Sequence, residues 1–415
     1  FDIKMDFTRK ARFVANGAKT PDLENTYAGV VSRETVRISF VYAALNGLDV
    51  MAGDIKNAYL TAPSSEKYWT VCGPEFGPDL QGSKALIVRA LYGTKYAGRD
   101  FHNHLRSCME MLGYQSCLAD ADLWMRDAVN STGQEYYEYV LLYVDDCLVI
   151  GENAKEQIME IDKYFPMKPS SIGKPTIYLG AKIGQVELDG DVRAFYFNMS
   201  QYIKEAIRNV ETYLKSKNLG LLKNTTIPIT ANYSPEIDQS PELNESDSAY
   251  YQSLIGVLRW IVEMGRIDII TEVSMLSSFV AMPREGHFHQ VLHIFAYLKC
   301  HINARLVLDP SYPNITKENF EKNGDWTSYY GDEVDEPPQN APKAKAKEFI
   351  IRAYVDASHA CCKLTRRSRT GFIVFLNSAP VYWFSKKQGS CEVSTFGSEF
   401  IAMRQCCENT FSFRT

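Results

Sequence analysis

No stretch of the 415 residues approaches the roughly 20 consecutive apolar residues of a bilayer-crossing helix. The longest apolar runs, 140–144 and 147–150, are parted by Asp145-Asp146, which excludes a transmembrane helix. The ten cysteines include no C-x-x-C pair, and their density is far below that of a disulfide-stapled domain, which points to a reducing compartment. The absence of a Gly-rich phosphate loop disfavours an ATPase or kinase, and no repeat of 20–50 residues is present. No charged-then-apolar leader follows Phe1, so the sequence reads as a piece of a longer chain. Nor is there a large excess of charge of one sign. With 45 Lys and Arg against 50 Asp and Glu the net charge is −5, which by itself argues against a nucleic-acid partner. The sum hides an asymmetry, because residues 349–415 carry nine basic against four acidic side chains, a net of +5 that leaves −10 for the rest.

What is present suits a folded protein. The hydrophobic fraction is 45%, and 25 Tyr with 21 Phe supply rigid apolar mass. Arg12-Phe13-Val14 reads as a short strand ended by the turn signal Asn16-Gly17. From Glu34, apolar residues at a helical period run to Gly47, followed by a buried strand toward Asp54. Residues 140–150 read as a buried hairpin with Asp145-Asp146 at its turn, and Ile158, Ile161 and Phe165 as one face of a helix stopped by Pro166. Residues 248–298 are mostly helical, and 309–347 read as a linker whose Pro, Asn, Gly and Lys-Ala runs bury little. Three strands, near 349–355, 371–376 and 381–384, and a helix near 399–407 make a last small α/β unit.

Aspartates inside apolar strands are costly unless something compensates them. Asp145 and Asp146 either cap the amides of their own turn or, with a third carboxylate such as Asp54, hold divalent cations. His287, His289 and His293 lack the Cys or carboxylate that would complete a metal site, and Cys361-Cys362 and Cys406-Cys407 read as packed or surface thiols.

Tyr143-Val144-Asp145-Asp146 resembles the catalytic box of reverse transcriptases. The resemblance widens with Lys10-Ala11-Arg12-Phe13-Val14, Asp54-Ile55-Lys56-Asn57-Ala58-Tyr59-Leu60, Leu91-Tyr92-Gly93-Thr94-Lys95 and Tyr178-Leu179-Gly180. These follow the order and rough spacing of copia-type LTR-retrotransposon polyproteins. Tyr251, Leu254-Ile255-Gly256, Asp268-Ile269, His287 and Tyr297-Leu298-Lys299 resemble the segment after that polymerase. Tyr354-Val355-Asp356-Ala357, Arg366-Arg367-Ser368, Trp383 and Ser385-Lys386-Lys387-Gln388, with Ser398-Glu399-Phe400, resemble the family's RNase H domain.

The resemblance implies an α+β fold: a right-hand polymerase of fingers, palm and thumb, then a partial α/β RNase H-like domain. On it, residues 1–215 are fingers and palm, 216–308 a helical thumb or connection, 309–347 a linker and 348–415 the truncated RNase H-like part. It implies an RNA-directed DNA polymerase with two Mg²⁺ ions, or Mn²⁺, on Asp54 and Asp145, and with Asp146 as the less direct third carboxylate. Lys10 and Arg12 then lie against the triphosphate of the dNTP, where a guanidinium suits phosphate oxygens, and Tyr59 lies under its sugar. Asp356 and Glu399 are the RNase H candidates, two where about four ligands are needed. The implied partners are an RNA template, a DNA primer, the RNA–DNA hybrid and dNTPs, without a membrane. The implied location is intracellular, in a cytoplasmic virus-like particle or the nucleus. Two departures stand out: Tyr96 and Gly98 replace the Gln and Pro of the family's L-K-Q-A-P-R, and Ser358-His359-Ala360-Cys361-Cys362 replaces a stretch with Trp and an acid. The alternatives are a decayed fragment that binds nucleic acid without catalysis, and some other two-metal phosphoryl transferase.

Overall fold

In the computed structural model, residues 2–3, 9–10, 13–20, 25–315, 331, 339–411 and 413 are described. Their contacts divide the chain into two units, residues 1–36 with 47–174 and residues 37–46 with 175–415. Helices and antiparallel sheets in both units make the fold α+β. No helix among the described residues is long and apolar enough to cross a membrane.

The first unit starts with a two-stranded pair, β1 (Asp2–Ile3) and β2 (Arg9–Lys10). The strand expected at Arg12–Val14 is not formed at Phe13 and Val14, and Arg12 lies outside the described residues. Asn16 instead folds back locally, its side chain accepting a bond from Ala18 N at the head of a 3-10 turn, Gly17–Lys19. Helix α1 (Arg33–Asn46) begins here and ends as expected at Gly47, whose φ of 67° lets the chain leave the helix in a left-handed residue. β3 (Asp49–Asp54), α2 (Ala58–Thr61), the hairpin β4 (Pro63–Val71) and β5 (Lys84–Arg89), α3 (Ala97–Met111), β6 (Gln115–Ser116), β7 (Leu123–Val129), β8 (Glu135–Tyr143), β9 (Asp146–Gly151) and α4 (Ala154–Asp162) follow. Five of these strands form an antiparallel sheet in the order β3-β9-β8-β7-β6. Phe101, Leu105 and Met109 of α3 and Ile158 and Ile161 of α4 share a buried cluster with Val140, Leu142, Cys147 and Val149. Both parities of β9 are buried, which is why its sequence runs apolar without alternation.

The second unit holds β10 (Ile177–Tyr178), β11 (Ala181–Leu188), β12 (Val192–Asn198), α5 (Ser200–Ser216), α6 (Glu245–Glu263), α7 (Ile270–Leu276), α8 (Glu285–Cys300), β13 (Arg305–Leu308), β14 (Ile351–Ser358), β15 (Arg369–Leu376), β16 (Ala379–Lys387) and α9 (Thr395–Phe411). One sheet runs β10-β11-β12-β13; another runs β14-β15-β16, with α9 packed on β14 and β15. Asn244 caps α6 by accepting from Asp247 N, and Tyr251, Leu254, Leu258 and Ile261 form its buried stripe. Much of the expected linker, residues 316–330 and 332–338, lies outside the described residues. Residues 175–215 group by contacts with the helices that follow them.

Candidate active site

The sheet register brings the acids together. Asp54 ends β3 directly opposite Asp146, the first residue of β9. Tyr143 pairs with Asp146 across the β8 to β9 hairpin, leaving Val144-Asp145 as its two-residue turn. Val144 has a φ of 56°, a left-handed conformation that disfavours a β-branched residue by about 1–3 kcal/mol. The next link is from the other strand: Ile55 N donates to Asp145 O at 2.8 Å, so the backbone after Asp54 is tied to the turn itself. The three candidate carboxylates therefore sit at one edge of one sheet.

Their partners come from a segment that carries no motif. Lys56 N donates to Pro166 O at 2.9 Å and Lys168 N to Asp54 O at 2.9 Å, lacing residues 166–168 to the end of β3. This places the Lys168 ammonium in an ion pair with Asp54 Oδ2, while Ser171 Oγ accepts from Asp54 N at 2.9 Å. Asp54 Oδ1 is buried and has no hydrogen-bond partner among the described residues. Burial first, then the charges of Asp145 and Asp54, push the Asp146 carboxyl up to about 6 against the opposing pull of Lys168. Among the described residues no group of three His, Cys, Asp or Glu side chains is arranged to enclose a metal ion. The donor set nevertheless suits a hard divalent cation, because an unpartnered buried carboxylate oxygen and mutually repelling acids both gain from one. Lys168 takes Asp54 Oδ2, and Oδ1 is the oxygen that such an ion would meet.

Asp146 binds a proton more tightly in the fold than in the unfolded chain. The folded state then holds the extra proton between about pH 4 and about 6, so stability falls as pH rises through that window and stays lower above it. In metal-free buffer, Asp146→Asn is expected to raise the melting temperature by about a few degrees near pH 7.5 and by much less near pH 4.5. Thermal melts at the two pH values check it; equal shifts at both would assign the gain to packing.

Tyr59 sits on α2, its ring 5.0 Å from that of Tyr92 and 5.8 Å from that of Phe101. Burial, and next the charge of Asp145, raise its hydroxyl above the ordinary tyrosine range, so it lies within electrostatic reach of the acids. A cavity of about 140 Å³ lies here, lined by Tyr59, Gly98, Phe101, His102, Leu142 and Val144. The Tyr96 ring is wholly buried and stacks on Tyr68 at 5.3 Å, whereas Gly98 presents only backbone to the cavity. His102 and the buried Asp122 also line it, with His102 Nε2 2.6 Å from Asp122 Oδ1. Neither His102 and Asp122 nor Lys168 and Ser171 stands out in the sequence: the first two are 20 residues apart, and the second two act by meeting Asp54 from more than a hundred residues away, so no local pattern marks them.

Of the other candidates, Lys10 is a backbone partner of Asp2 in β2; its side chain and all of Arg12 lie outside the described residues. In the second unit, exposed Asp356 of β14 and half-buried Glu399 of α9 belong to elements that pack together. His359 Nδ1 meets Ser398 Oγ at 2.6 Å, joining the end of β14 to the residue before Glu399. Arg366, Arg367 and Lys386 are exposed. His287 is engaged in structure, Nδ1 accepting from Arg284 N and Nε2 facing Pro235 O. Cys361 and Cys407 are exposed thiols, Cys362 and Cys406 buried ones.

Comparison with known proteins bears on the family of the chain. A family model described as reverse transcriptase (RNA-dependent DNA polymerase) matches residues 2–218. The chain is 24% identical over 398 residues to a retrovirus-related Pol polyprotein from transposon RE1 of Arabidopsis thaliana, covering 94% of this chain and 23% of that protein. It is 25% identical over 407 residues to the corresponding polyprotein from transposon TNT 1-94 of Nicotiana tabacum, covering 95% and 26%. A putative transposon Ty5-1 protein of Saccharomyces cerevisiae is 25% identical over 357 residues, covering 84% and 97%. The chain thus spans about a quarter of the length of the two plant polyproteins.

Proposed function

The chain belongs to the reverse transcriptase family, as the reverse transcriptase region of a copia-type retrotransposon polyprotein, and from that membership we propose that it extends a DNA primer along an RNA template. The observation that supports this most is the convergence of Asp54 and Asp145-Asp146 at one edge of the five-stranded sheet. In this reading Asp54 and Asp145 hold two Mg²⁺ ions, for which Mn²⁺ can substitute, and Asp146 is a third, less direct carboxylate. Bound there, the ions would activate the primer 3′-hydroxyl and stabilise the leaving pyrophosphate. Lys168 holds Asp54 by Oδ2. Lys10 and Arg12 take the triphosphate of the incoming dNTP. Residues 1–215 serve as fingers and palm, 216–308 as thumb or connection and 309–347 as a linker. The RNase H-like part, 348–415, carries Asp356 and Glu399 and follows the RNA–DNA hybrid with Arg366, Arg367, Lys386 and Lys387.

Primer extension on a homopolymer RNA template, with and without Mg²⁺, tests the reading. Metal-dependent incorporation of dNTPs is expected. Binding of the template with no extension under any divalent ion would leave the decayed, non-catalytic alternative.

Tyr59 supplies a second readout. Its ring is fixed between Tyr92 and Phe101, and a rigid wall beneath the sugar excludes a 2′-hydroxyl by sterics. Tyr59→Ala is expected to raise ribonucleotide relative to deoxyribonucleotide incorporation by roughly tenfold or more. The ratio of the two kcat/KM values is the measurement, and an unchanged ratio in a merely less stable protein would reduce Tyr59 to core packing.

A further inference from the structure

The β4 to β5 hairpin has two unlike faces. Its inner side is anchored: Tyr68 stacks on Tyr96 with ring planes 10° apart, and Ser65 N donates to Asp100 Oδ2 at 2.8 Å. On the outer side Trp69 stands opposite Leu86, and Val71 opposite Lys84. The period of two adds Lys67 and Val88 to that face. Trp69 is 64% exposed, Val71 62% and Val88 65%, a contiguous apolar surface of the kind that marks a binding face.

Charge narrows the partner. Lys67 and Lys84 flank the tryptophan, and neither has an ion-pair partner among the described residues. The hairpin's acids lie elsewhere, Glu66 on the inner parity and Glu75 and Asp79 in the connecting turn. In a chain of net charge −5, this face is apolar and cationic. A second copy docked here face to face would set lysines against lysines. A single nucleic-acid strand satisfies both halves, since each base offers a π face and each phosphate a negative charge. Position agrees: β4 starts two residues after α2, which carries Tyr59, and β5 ends three residues before Tyr92, whose ring meets that of Tyr59.

We propose that the outer face of the β4 to β5 hairpin is a stacking platform for single-stranded nucleic acid, used by the template strand outside the candidate active site. This rests on the polymerase reading for the identity of the strand, not for the binding itself. At nine residues, β4 offers about 30 Å of platform.

The test is binding of a fluorescein-labelled oligouridylate to the full chain, followed by anisotropy across a salt series. Trp69→Ala is expected to weaken binding roughly tenfold at every salt concentration, the contribution of one stacked base, and Trp69→Phe to retain most of it. Lys67→Gln with Lys84→Gln is expected to lower the slope of log K against log salt by about 1.4, for two phosphates released. Melting temperatures monitor folding of each variant. Unchanged binding in Trp69→Ala overturns the proposal. So does a dimer, seen by sedimentation, that Trp69→Ala dissolves while oligouridylate binding persists, because the face would then be a contact between copies. Primer extension by the wild-type chain on a primed homopolymer RNA template is read in parallel, so failure of the polymerase reading registers there and not in the binding curves.

Discussion

Asp145→Asn is expected to lower primer extension by roughly a thousandfold or more, with template binding changed by no more than about twofold. A bound divalent ion contributes several kcal/mol of charge stabilisation to phosphoryl transfer, and each 1.36 kcal/mol is tenfold in rate, so losing a ligand that holds it costs about that much. The fold has little to lose. It is the Asp145 carbonyl, not its carboxylate, that accepts from Ile55 N, and asparagine keeps that bond. Asp54→Asn is expected to give the same loss by a second route, since it also releases Lys168 from its ion pair. Extension and filter binding, measured side by side, check both variants. More than a few per cent of wild-type extension in either would show that residue to be no metal ligand.

Arg37→Ala is expected to destabilise the second unit by about 3–5 kcal/mol, a drop in melting temperature of roughly 10 °C. Arg37 is only 2% exposed, near the start of α1. Its Nε donates to Val381 O at 2.5 Å and an amino group to Glu263 O at 2.8 Å, and its guanidinium lies 4.2 Å from the Trp383 ring centre. One side chain thus joins α1, the end of α6 and β16. Truncation removes charge-assisted bonds to buried carbonyls and a desolvated cation–π contact together. Arg37→Lys keeps the charge but neither the fork nor the flat stacking surface, so less than half of the loss is expected to return. Denaturant unfolding of the full chain measures it; a loss under about 1 kcal/mol would mean that water or neighbouring groups satisfy those carbonyls.

Local chemistry is enough for the pieces whose cause lies within a few residues. The run from Val140 to Ile150, interrupted by two aspartates, specifies a hairpin because a strand buried on both sides must be apolar throughout and its turn must carry the polar residues. Gly47 ends α1 because glycine takes a left-handed conformation freely. The motifs around Asp54 and Asp145, through their resemblance to a family, also identified which acids to bring together. Where a local signal was read too strongly, at Phe13 and Val14, the chain formed no strand, since β propensity without a neighbour to pair with builds nothing. The rest follows from contacts between segments far apart in the chain. Asp54 and Asp146 are distant in the chain and meet through sheet register, and Lys168 reaches them because residues 166–168 are laced to β3. Tyr96 turned inward onto Tyr68, Trp69 turned outward, and Arg37 buried in the second unit are likewise outcomes of packing. Side-chain type records that such groups exist, but the partner that makes a charge affordable or a ring exposed lies far along the chain, and only the folded backbone brings it near.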